Sequence, residues 1–527
     1  MPTIDSKNRK IIYDEKDWLA GLHPQDGSKT ITQKFGTFAS QLYSFNPYIN
    51  LGYASCGYYN TALTNASKIK TRLIAKSQDD NDSDFYALED RNLFHTITDY
   101  TSVADAHEIV SSAPLTATAK CYSICRYIIG GTDYYFYSYR GAPPATADIG
   151  RFAVSGSTWD DDYMSTIPTG AAFISSTAID AERQYCPLIV GHDDVLYSGG
   201  LNYVNAYDGP TDTLTAQALT LESKYNVVDM VKYPPRSLVI FTQGDGNCKA
   251  YFWDYLSQDP YDVKDIGDFD IMGAFEYQGT VGCITKGRDG YGKIKVFDGS
   301  EFKELARFNI SPLGRELKGP VPDGIFVNDK EIWFYMCSQR EGFVYCYGNN
   351  LGMKQVLNVM AKGDVYVAEG TTYYPGIMTI GRNNETIFGS GRLAFDADDG
   401  ASTEKLDLTK YSTDGYYYSD LTDMGDERIQ VKQITVYFAD EFTGGRTISL
   451  ALRDRYTTYN IQGLTNLAVV TPENRIYRVK PFNNTGGTMI PPLDGLGINL
   501  NWGAGAGTAV TPIINKIIID YEPIKIN

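Results

Sequence analysis

The stretch DVLYSGGLNYVNAYDGPTDTLTAQAL (194–219) contains the pattern that best indicates the fold of this chain. It reads as an apolar and aromatic run, a turn rich in Gly and Asn, and a second run that ends in Asp-Gly. The same pattern returns in GKIKVFDGSEFKELARF (292–308), in EIWFYMCSQREGFVYCYGNNLGMKQVL (331–357) and in TIFGSGRLAFDADDGASTEKLDL (386–408). Runs of β-branched and aromatic residues bounded by such turn formers predict antiparallel strands.

Between residues 66 and 410 the chain contains seven units of this kind. One small antiparallel sheet cannot bury its own apolar face, and units that recur about every 40–50 residues indicate a radial β-propeller. We therefore predict an all-β chain whose main body is a β-propeller of about seven blades, a count open by one or two. The predicted units begin near Lys68, Lys120, Pro187, Val227, Ala274, Gly324 and Asp364.

The two ends of the chain have a different character. Residues 411–527 alternate strictly in RIQVKQITVYFA (428–439) and in INKIIIDYEPI (514–524), with Gly-rich turns between the runs. This pattern predicts a separate C-terminal antiparallel β-sandwich of jelly-roll type. Residues 1–65 are irregular and predict an N-terminal arm laid over the main body, which could add a strand to the last blade. A helix is predicted only near Glu15–Leu22.

The composition narrows the function classes. The net charge is −17, from 64 acidic and 47 basic residues. An acidic chain gains nothing from counterion release on a nucleic acid, so general DNA or RNA binding and attraction to an anionic membrane are disfavoured. No apolar stretch has the length of a signal peptide or of a membrane span, so we expect synthesis in the cytoplasm and no membrane insertion. The eight scattered Cys residues predict reduced thiols rather than a disulfide frame.

Motifs for catalysis and metal binding are incomplete. Gly156-Ser157-Thr158-Trp159 matches half of the Asp box of propeller glycosidases, and the Asp160–Asp162 run is typical of a solvated loop. DDNDSD (79–84) and the acidic residues before Gly400 resemble calcium loops that lack their Gly or closing Glu. The four His residues are too dispersed for a metal site or a catalytic triad. We assign no catalytic, cofactor-binding or metal-binding residue, and we predict that the chain is not an enzyme.

Two aromatic clusters remain. Tyr134–Tyr139 contains four Tyr and one Phe, and Tyr416–Tyr418 is a run of three. Tyr on an exposed face can stack on a sugar or anchor a protein interface, whereas alternate Tyr residues can also pack between blades. We favour packing for the first cluster and leave both interpretations open for the second.

The C-terminal region resembles a known family. The segments that carry the resemblance are SDLTDMGDERIQVKQITVYFA (419–439), RTISLALRDR (446–455), NRIYRVKPF (474–482) and TPIINKIIIDYEPI (511–524). They look like the closing domain of structural proteins in tailed-phage virions. GYASCGYYNTA (52–62) resembles the Gly-rich opening that precedes the propeller in those proteins. The order of arm, propeller and sandwich is similar to tail nozzle or tail hub proteins of short-tailed phages.

This resemblance implies a non-enzymatic subunit of the virion tail, assembled in the host cytoplasm. Such subunits form homo-oligomeric rings, commonly sixfold, around the DNA exit channel. They contact adaptor or portal-side proteins and fibre proteins, and they let the DNA pass without specific binding. An acidic channel wall suits this role because it repels phosphates. The alternatives are a receptor- or carbohydrate-binding tail protein and, third, a propeller glycosidase. No cofactor is implied.

Overall fold

The computed structural model describes residues 3–14, 39–43, 58–62, 71–76, 85–89, 93–98, 102–108, 120–140, 147–155, 158–166, 186–244, 246–310, 324–327, 331–337, 342–348, 356–363, 377–380, 386–389, 403–411, 415–423, 427–442, 446–503 and 511–525. The regular structure of these residues is almost entirely β-strand. The two exceptions among them are a one-turn α-helix, α1 (Tyr163–Thr166), and a short 3₁₀ helix (Pro472–Asn474). The helix predicted near Glu15–Leu22 lies outside the described residues.

Strands are numbered along the chain. The first four precede the propeller sheets in sequence: β1 (Thr3–Asp5), β2 (Lys10–Tyr13), β3 (Ala39–Tyr43) and β4 (Tyr58–Ala62).

The next 27 described strands, with β4, form seven four-stranded sheets. The first sheet comprises β5 (Thr71–Lys76), β6 (Phe85–Glu89), β7 (Leu93–Thr98) and β8 (Ser102–Glu108), the second β9 (Lys120–Ile129), β10 (Thr132–Arg140), β11 (Ala147–Ala153) and β12 (Thr158–Asp160), and the third β13 (Leu188–Val190), β14 (Leu196–Gly200), β15 (Tyr203–Asp208) and β16 (Thr213–Thr220). The fourth sheet comprises β17 (Asn226–Tyr233), β18 (Ser237–Gly244), β19 (Asn247–Trp253) and β20 (Asp262–Asp265), and the fifth β21 (Asp270–Tyr277), β22 (Thr280–Lys286), β23 (Tyr291–Phe297) and β24 (Phe302–Asn309). The sixth sheet comprises β25 (Ile325–Val327), β26 (Glu331–Cys337), β27 (Gly342–Gly348) and β28 (Val356–Gly363), and the seventh β29 (Ile377–Ile380), β30 (Thr386–Gly389), β31 (Thr403–Tyr411) and β4.

The first strands of these sheets form a closed ring. Each first strand lies beside the first strand of the next sheet, and β29 of the seventh sheet lies beside β5 of the first. Neighbouring strands within a sheet pair in sequence order in the first six sheets. Radial four-stranded sheets around a closed ring of inner strands define a β-propeller. The predicted β-propeller and its count of seven blades are therefore confirmed within the described residues.

Consecutive blades share apolar cores. One cluster joins the second and third sheets through Phe136, Ile149 and Leu196, and another joins the fourth and fifth through Phe241, Ile271 and Val281. The third and fourth sheets thus each share an apolar core with the preceding and with the next sheet, as expected for repeated units that cannot fold alone.

A buried carboxylate also links two neighbouring blades. Asp229 on β17 accepts the backbone N–H of Met230 at 2.8 Å and the backbone N–H of Ala274 on β21 at 2.7 Å. Ala274 lies in the first strand of the next blade, just after a register shift between Ile271 and Gly273, so the carboxylate satisfies a donor at an irregular point of the ladder.

The remaining strands form two larger antiparallel sheets. Sheet A has the order β1-β2-β39-β34-β37, and sheet B has the order β3-β32-β38-β35-β36, with β33 paired to β38. A jelly-roll-type stacking of these sheets stays a prediction. Their C-terminal strands are β32 (Gly415–Ser419), β33 (Thr422–Asp423), β34 (Glu427–Phe438), β35 (Thr447–Arg453), β36 (Thr458–Asn460), β37 (Ile476–Val479), β38 (Gly495–Gly503) and β39 (Ile514–Lys525).

The chain divides into two compact units. One comprises Ala62–Gly342 and Gly363–Lys405, and it contains the ring of first strands. The other comprises Met1–Thr61, Phe343–Lys362 and Leu406–Asn527, and it contains sheets A and B. The predicted boundaries at residues 65 and 410 stay predictions.

Candidate assembly surfaces

The first aromatic cluster is part of the core. Tyr135, Phe136, Tyr137 and Tyr139 are buried on β10. Phe136 lies 5.8 Å from the ring of Tyr207 in the next blade. Packing between blades, the interpretation favoured from sequence, is therefore confirmed for this cluster.

The Asp160–Asp162 run is not a solvated loop. The hydroxyl of Tyr137 donates to Asp161 Oδ1 at 2.5 Å, and the hydroxyl of Tyr139 donates to Asp162 Oδ1 at 3.1 Å. The Tyr139 hydroxyl also lies 2.8 Å from the backbone carbonyl of Asp161, so this turn supplies the acceptors for both buried hydroxyls. The sequence interpretation was wrong because it considered only the local charge and not the Tyr residues two strands away.

The broken Asp box supplies an edge strand. Thr158 and Trp159 belong to β12, and Trp159 stacks on Phe152 of β11 with ring centroids 4.1 Å apart. Gly156 and Ser157 lie outside the described residues. The aromatic stack gives Trp159 a structural role at the end of its blade.

Several other candidates carry no described site. The calcium-like loops at 79–84 and 396–400 and residue His23 lie outside the described residues, and His95 and His107 lie on β7 and β8. Within the described ranges, no three His, Cys, Asp or Glu side chains are grouped closely enough to hold a metal ion. The same ranges include no helix long and apolar enough to cross a membrane.

Five cysteines of the described residues are free thiols: Cys125, Cys186, Cys248, Cys283 and Cys346. Cys248, Cys283 and Cys346 are buried, while Cys125 and Cys186 are partly exposed. Burial raises the pKa of the Cys186 thiol to about 12. Since the thiolate is the nucleophile, this raised pKa disfavours nucleophilic chemistry by the Cys186 thiol at neutral pH.

A charged network is buried in the fifth blade. The carboxylate of Asp268 lies 2.9 Å from Lys293 Nζ and 2.6 Å from Lys295 Nζ, and it accepts the Thr285 hydroxyl at 2.7 Å. Burial alone would raise the pKa of Asp268. The hydrogen bonds from Lys295, Lys293 and Thr285 outweigh burial and hold the pKa below 3.8. The network is fully paired and fixes the entry of the chain into β21.

The fourth blade ends in an acidic edge with exposed apolar side chains. Its outermost strand is β20, and Tyr261, Val263 and Asp265 alternate on the exposed side of this edge. Tyr261 is 54% exposed and Val263 is 41% exposed. Leu256, at the tip of the β19–β20 hairpin, is 90% exposed, and the Asp254 carboxylate holds this tip by accepting two backbone N–H groups. We call residues 254–265 the acidic edge, because they contain four Asp and one Lys.

Sheet A ends in a basic edge. Its outermost strand is β37, and Ile476, Arg478 and Lys480 alternate on the exposed side of this segment. Ile476 is 47% exposed. We call residues 475–480 the basic edge, since they contain three cations and no carboxylate. A cationic edge is unusual in a chain of net charge −17.

The second aromatic cluster lies on both faces of sheet B. Tyr417 is fully buried on the apolar face. Tyr416 and Tyr418 lie on the opposite face, where their rings stack with centroids 4.8 Å apart, and the Tyr418 hydroxyl donates to Asn501 Oδ1 at 3.0 Å. Asn499 pairs with Tyr418 in the ladder and is buried. Alternation therefore gives one face an apolar core and the other a set of partly or fully buried aromatic and amide side chains.

Sequence reasoning missed the two edges. Their signal was present as alternation in YDVKD (261–265) and in RIYRVK (475–480), but only the strand order shows that both strands are outermost.

Comparison of the chain with known proteins finds no matching protein-family model and no matching curated protein. Among solved structures, "Crystal structure of RRP9 WD40 repeats" is 10% identical with a TM-score of 0.42, covering 67% of this chain and 98% of that chain. "Structure of U3-55K" is 11% identical with a TM-score of 0.44, covering 66% and 98%. The β-propeller is identified by its strand order and its ring of first strands, and these similarities carry no argument about function.

Proposed function

We propose that this chain is a non-enzymatic structural subunit of a bacteriophage tail, a nozzle or hub component that assembles into a ring around the DNA exit channel. The observation that supports this most is the path of the N-terminal segment. Strands β1 and β2 extend sheet A, β3 extends sheet B, and β4 completes the seventh propeller sheet. One segment of 62 residues therefore supplies strands to three sheets.

An N-terminal segment that supplies strands to three sheets suits a subunit of a channel wall. A propeller whose last sheet is completed by a distant segment cannot open at that sheet without breaking a strand ladder. The acidic composition adds a repulsive field toward DNA phosphates, which favours passage over retention. The resemblance of residues 419–524 to tailed-phage structural proteins supports the same assignment.

Localisation in virions tests the proposal. Fab fragments raised against the recombinant chain would be bound to purified phage particles and viewed by electron microscopy. We expect label on the tail below the portal. Label at fibre tips would instead favour receptor binding, and particles without label would contradict a virion role. A Fab against an unrelated capsid protein controls for labelling.

A second candidate function is carbohydrate binding by the tail. The stacked pair Tyr416 and Tyr418, beside Asn501, favours it, because ring faces and amides are common partners of sugars. We expect Tyr418→Ala to abolish any signal on a glycan array. Tyr456→Ala is the matched control, since Tyr456 is 80% exposed at the tip of the neighbouring β35–β36 hairpin. No binding across a broad array would reject this candidate.

A further inference from the structure

We propose that the acidic edge of one copy of this chain docks on the basic edge of a second copy. The inference rests on the ring assembly proposed above and names the two surfaces that would build it. The surfaces are different, so the contact is heterologous, and repetition of a heterologous contact generates a closed ring or an open filament.

The acidic edge offers both backbone and side-chain groups. An outermost strand carries N–H and C=O groups that no neighbour in its own sheet pairs, and such an edge is a template for another chain. On the exposed side of β20, Tyr261 and Val263 supply apolar area, and Asp265 supplies charge. Leu256 extends the apolar area to the hairpin tip. Large apolar side chains grouped on a surface in this way mark interaction sites.

The basic edge has complementary properties. Arg478 and Lys480 have no carboxylate within ion-pair distance among the described residues. Ile476 lies on the same exposed side and supplies the apolar contact. Edge cations can also serve simply to prevent association. Two features favour docking: the exposed Ile476 next to the cations, and an opposite edge of matching pattern on the same chain.

The occupant is therefore a second copy. The exposed side chains of the acidic edge are, in chain order, Tyr261, Val263 and Asp265. Those of the basic edge are Ile476, Arg478 and Lys480. Addition of one strand edge to another satisfies backbone groups, and the charges select the partner and orientation. Two copies of the same edge would place like charges together, so the pairing is directional.

A charge-exchange experiment tests this directly. The first variant is Arg478→Glu with Lys480→Glu, and the second is Asp259→Lys with Asp265→Lys, all in the full-length chain. We expect each variant alone to lose rings in mass photometry, with association weakened at least about tenfold by like-charge contacts. A 1:1 mixture should restore rings, because each edge then meets an edge of opposite charge in the other variant.

The control is Arg455→Glu with Lys7→Glu, which reverses two exposed cations outside the basic edge. It should form rings like the unmodified chain. All four targeted side chains are exposed or on exposed edges, and equal unfolding midpoints would show that the variants fold. Rings that persist in both single variants, or a mixture that stays dissociated, would overturn the edge pairing and leave the tail function standing. An unmodified chain that stays monomeric at high concentration and is absent from particles would overturn both.

Discussion

Asp268 shows how single residues hold a blade together. Its carboxylate is almost fully buried, and it is matched by Lys293 and Lys295, which reach it from one side of β23. A buried charge is tolerated only when its partners are in place, so the stability of this blade depends on all three side chains.

We expect Asp268→Asn to destabilise the protein by about 3 kcal/mol or more, because it removes the carboxylate that pairs with the buried Lys295 and leaves Lys293 only Asp289, at 3.4 Å. Urea unfolding followed by fluorescence measures the loss. Glu276→Gln, an exposed carboxylate on β21 of the same blade, is the matched control and should change the free energy of unfolding by less than about 0.5 kcal/mol. Equal effects of the two substitutions would contradict this role.

The same network predicts the pH dependence of stability. The pKa of Asp268 lies below 3.8 in the fold, so its contribution is complete above pH 3.8 and is lost as the pH falls through the lowered pKa. Burial alone would lower the pKa of Lys293, but its hydrogen bond to Asp268 raises it above 10.5, so that contribution is complete below pH 10.5 and is lost at higher pH. Unfolding curves measured from acidic to alkaline pH should show that Asp268→Asn weakens the loss of stability at both ends of the pH range. Unchanged limits in the variant would count against the network.

At the scale of the element, several strand pairs place a glycine opposite an aromatic ring. Gly150 is paired with Tyr137, and Gly282 is paired with Phe275. The ring lies over the glycine, where a Cβ would meet it: at Gly282 the nearest atoms of Phe275 would be 2.6 Å away. These glycines are therefore selected by close approach rather than by turn geometry.

We expect Gly282→Ala to destabilise the fifth blade by about 1–3 kcal/mol, because the added methyl group collides with both Phe275 and the carbonyl of Lys295. Gly495→Ala on β38 is the control, since its Cβ would meet its nearest atom at an ordinary 3.4 Å. Thermal unfolding of the two variants separates a steric effect from a general effect of replacing glycine. A loss that is the same at both positions would refute the steric explanation.

The elements also show what the sequence could predict. Predicted starts at Lys120, Pro187 and Val227 fall within one residue of observed first strands, because alternation and turn residues are local signals. The seventh start, predicted near Asp364, is observed at Ile377. The pairing of β2 with β39 could not be predicted, since no local pattern encodes which distant strand supplies a partner. The two edges were missed for the same reason.

At the scale of the whole molecule, β4 completes the seventh sheet. Successive N–H groups along a strand point alternately to the partner and away from it. Of Tyr59→Pro and Asn60→Pro, one therefore removes a hydrogen bond to β31 and the other does not. We expect the substitution that removes the hydrogen bond to lower the free energy of unfolding by on the order of 1–3 kcal/mol more than the other one. The two substitutions thus serve as controls for each other. Limited proteolysis and unfolding midpoints measure the difference, and identical behaviour would show that β4 contributes little.

The path of the N-terminal segment has a consequence for the order of events during synthesis. Strand β4 emerges early but pairs with β31, which begins at Thr403, and β2 pairs with β39, which begins at Ile514. At about 5–20 residues per second, β4 waits on the order of 20–70 s for its partner strand. A nascent chain therefore carries unpaired strands through most of translation. A chain truncated before β31 would expose β4 and could add it to the sheet of another molecule.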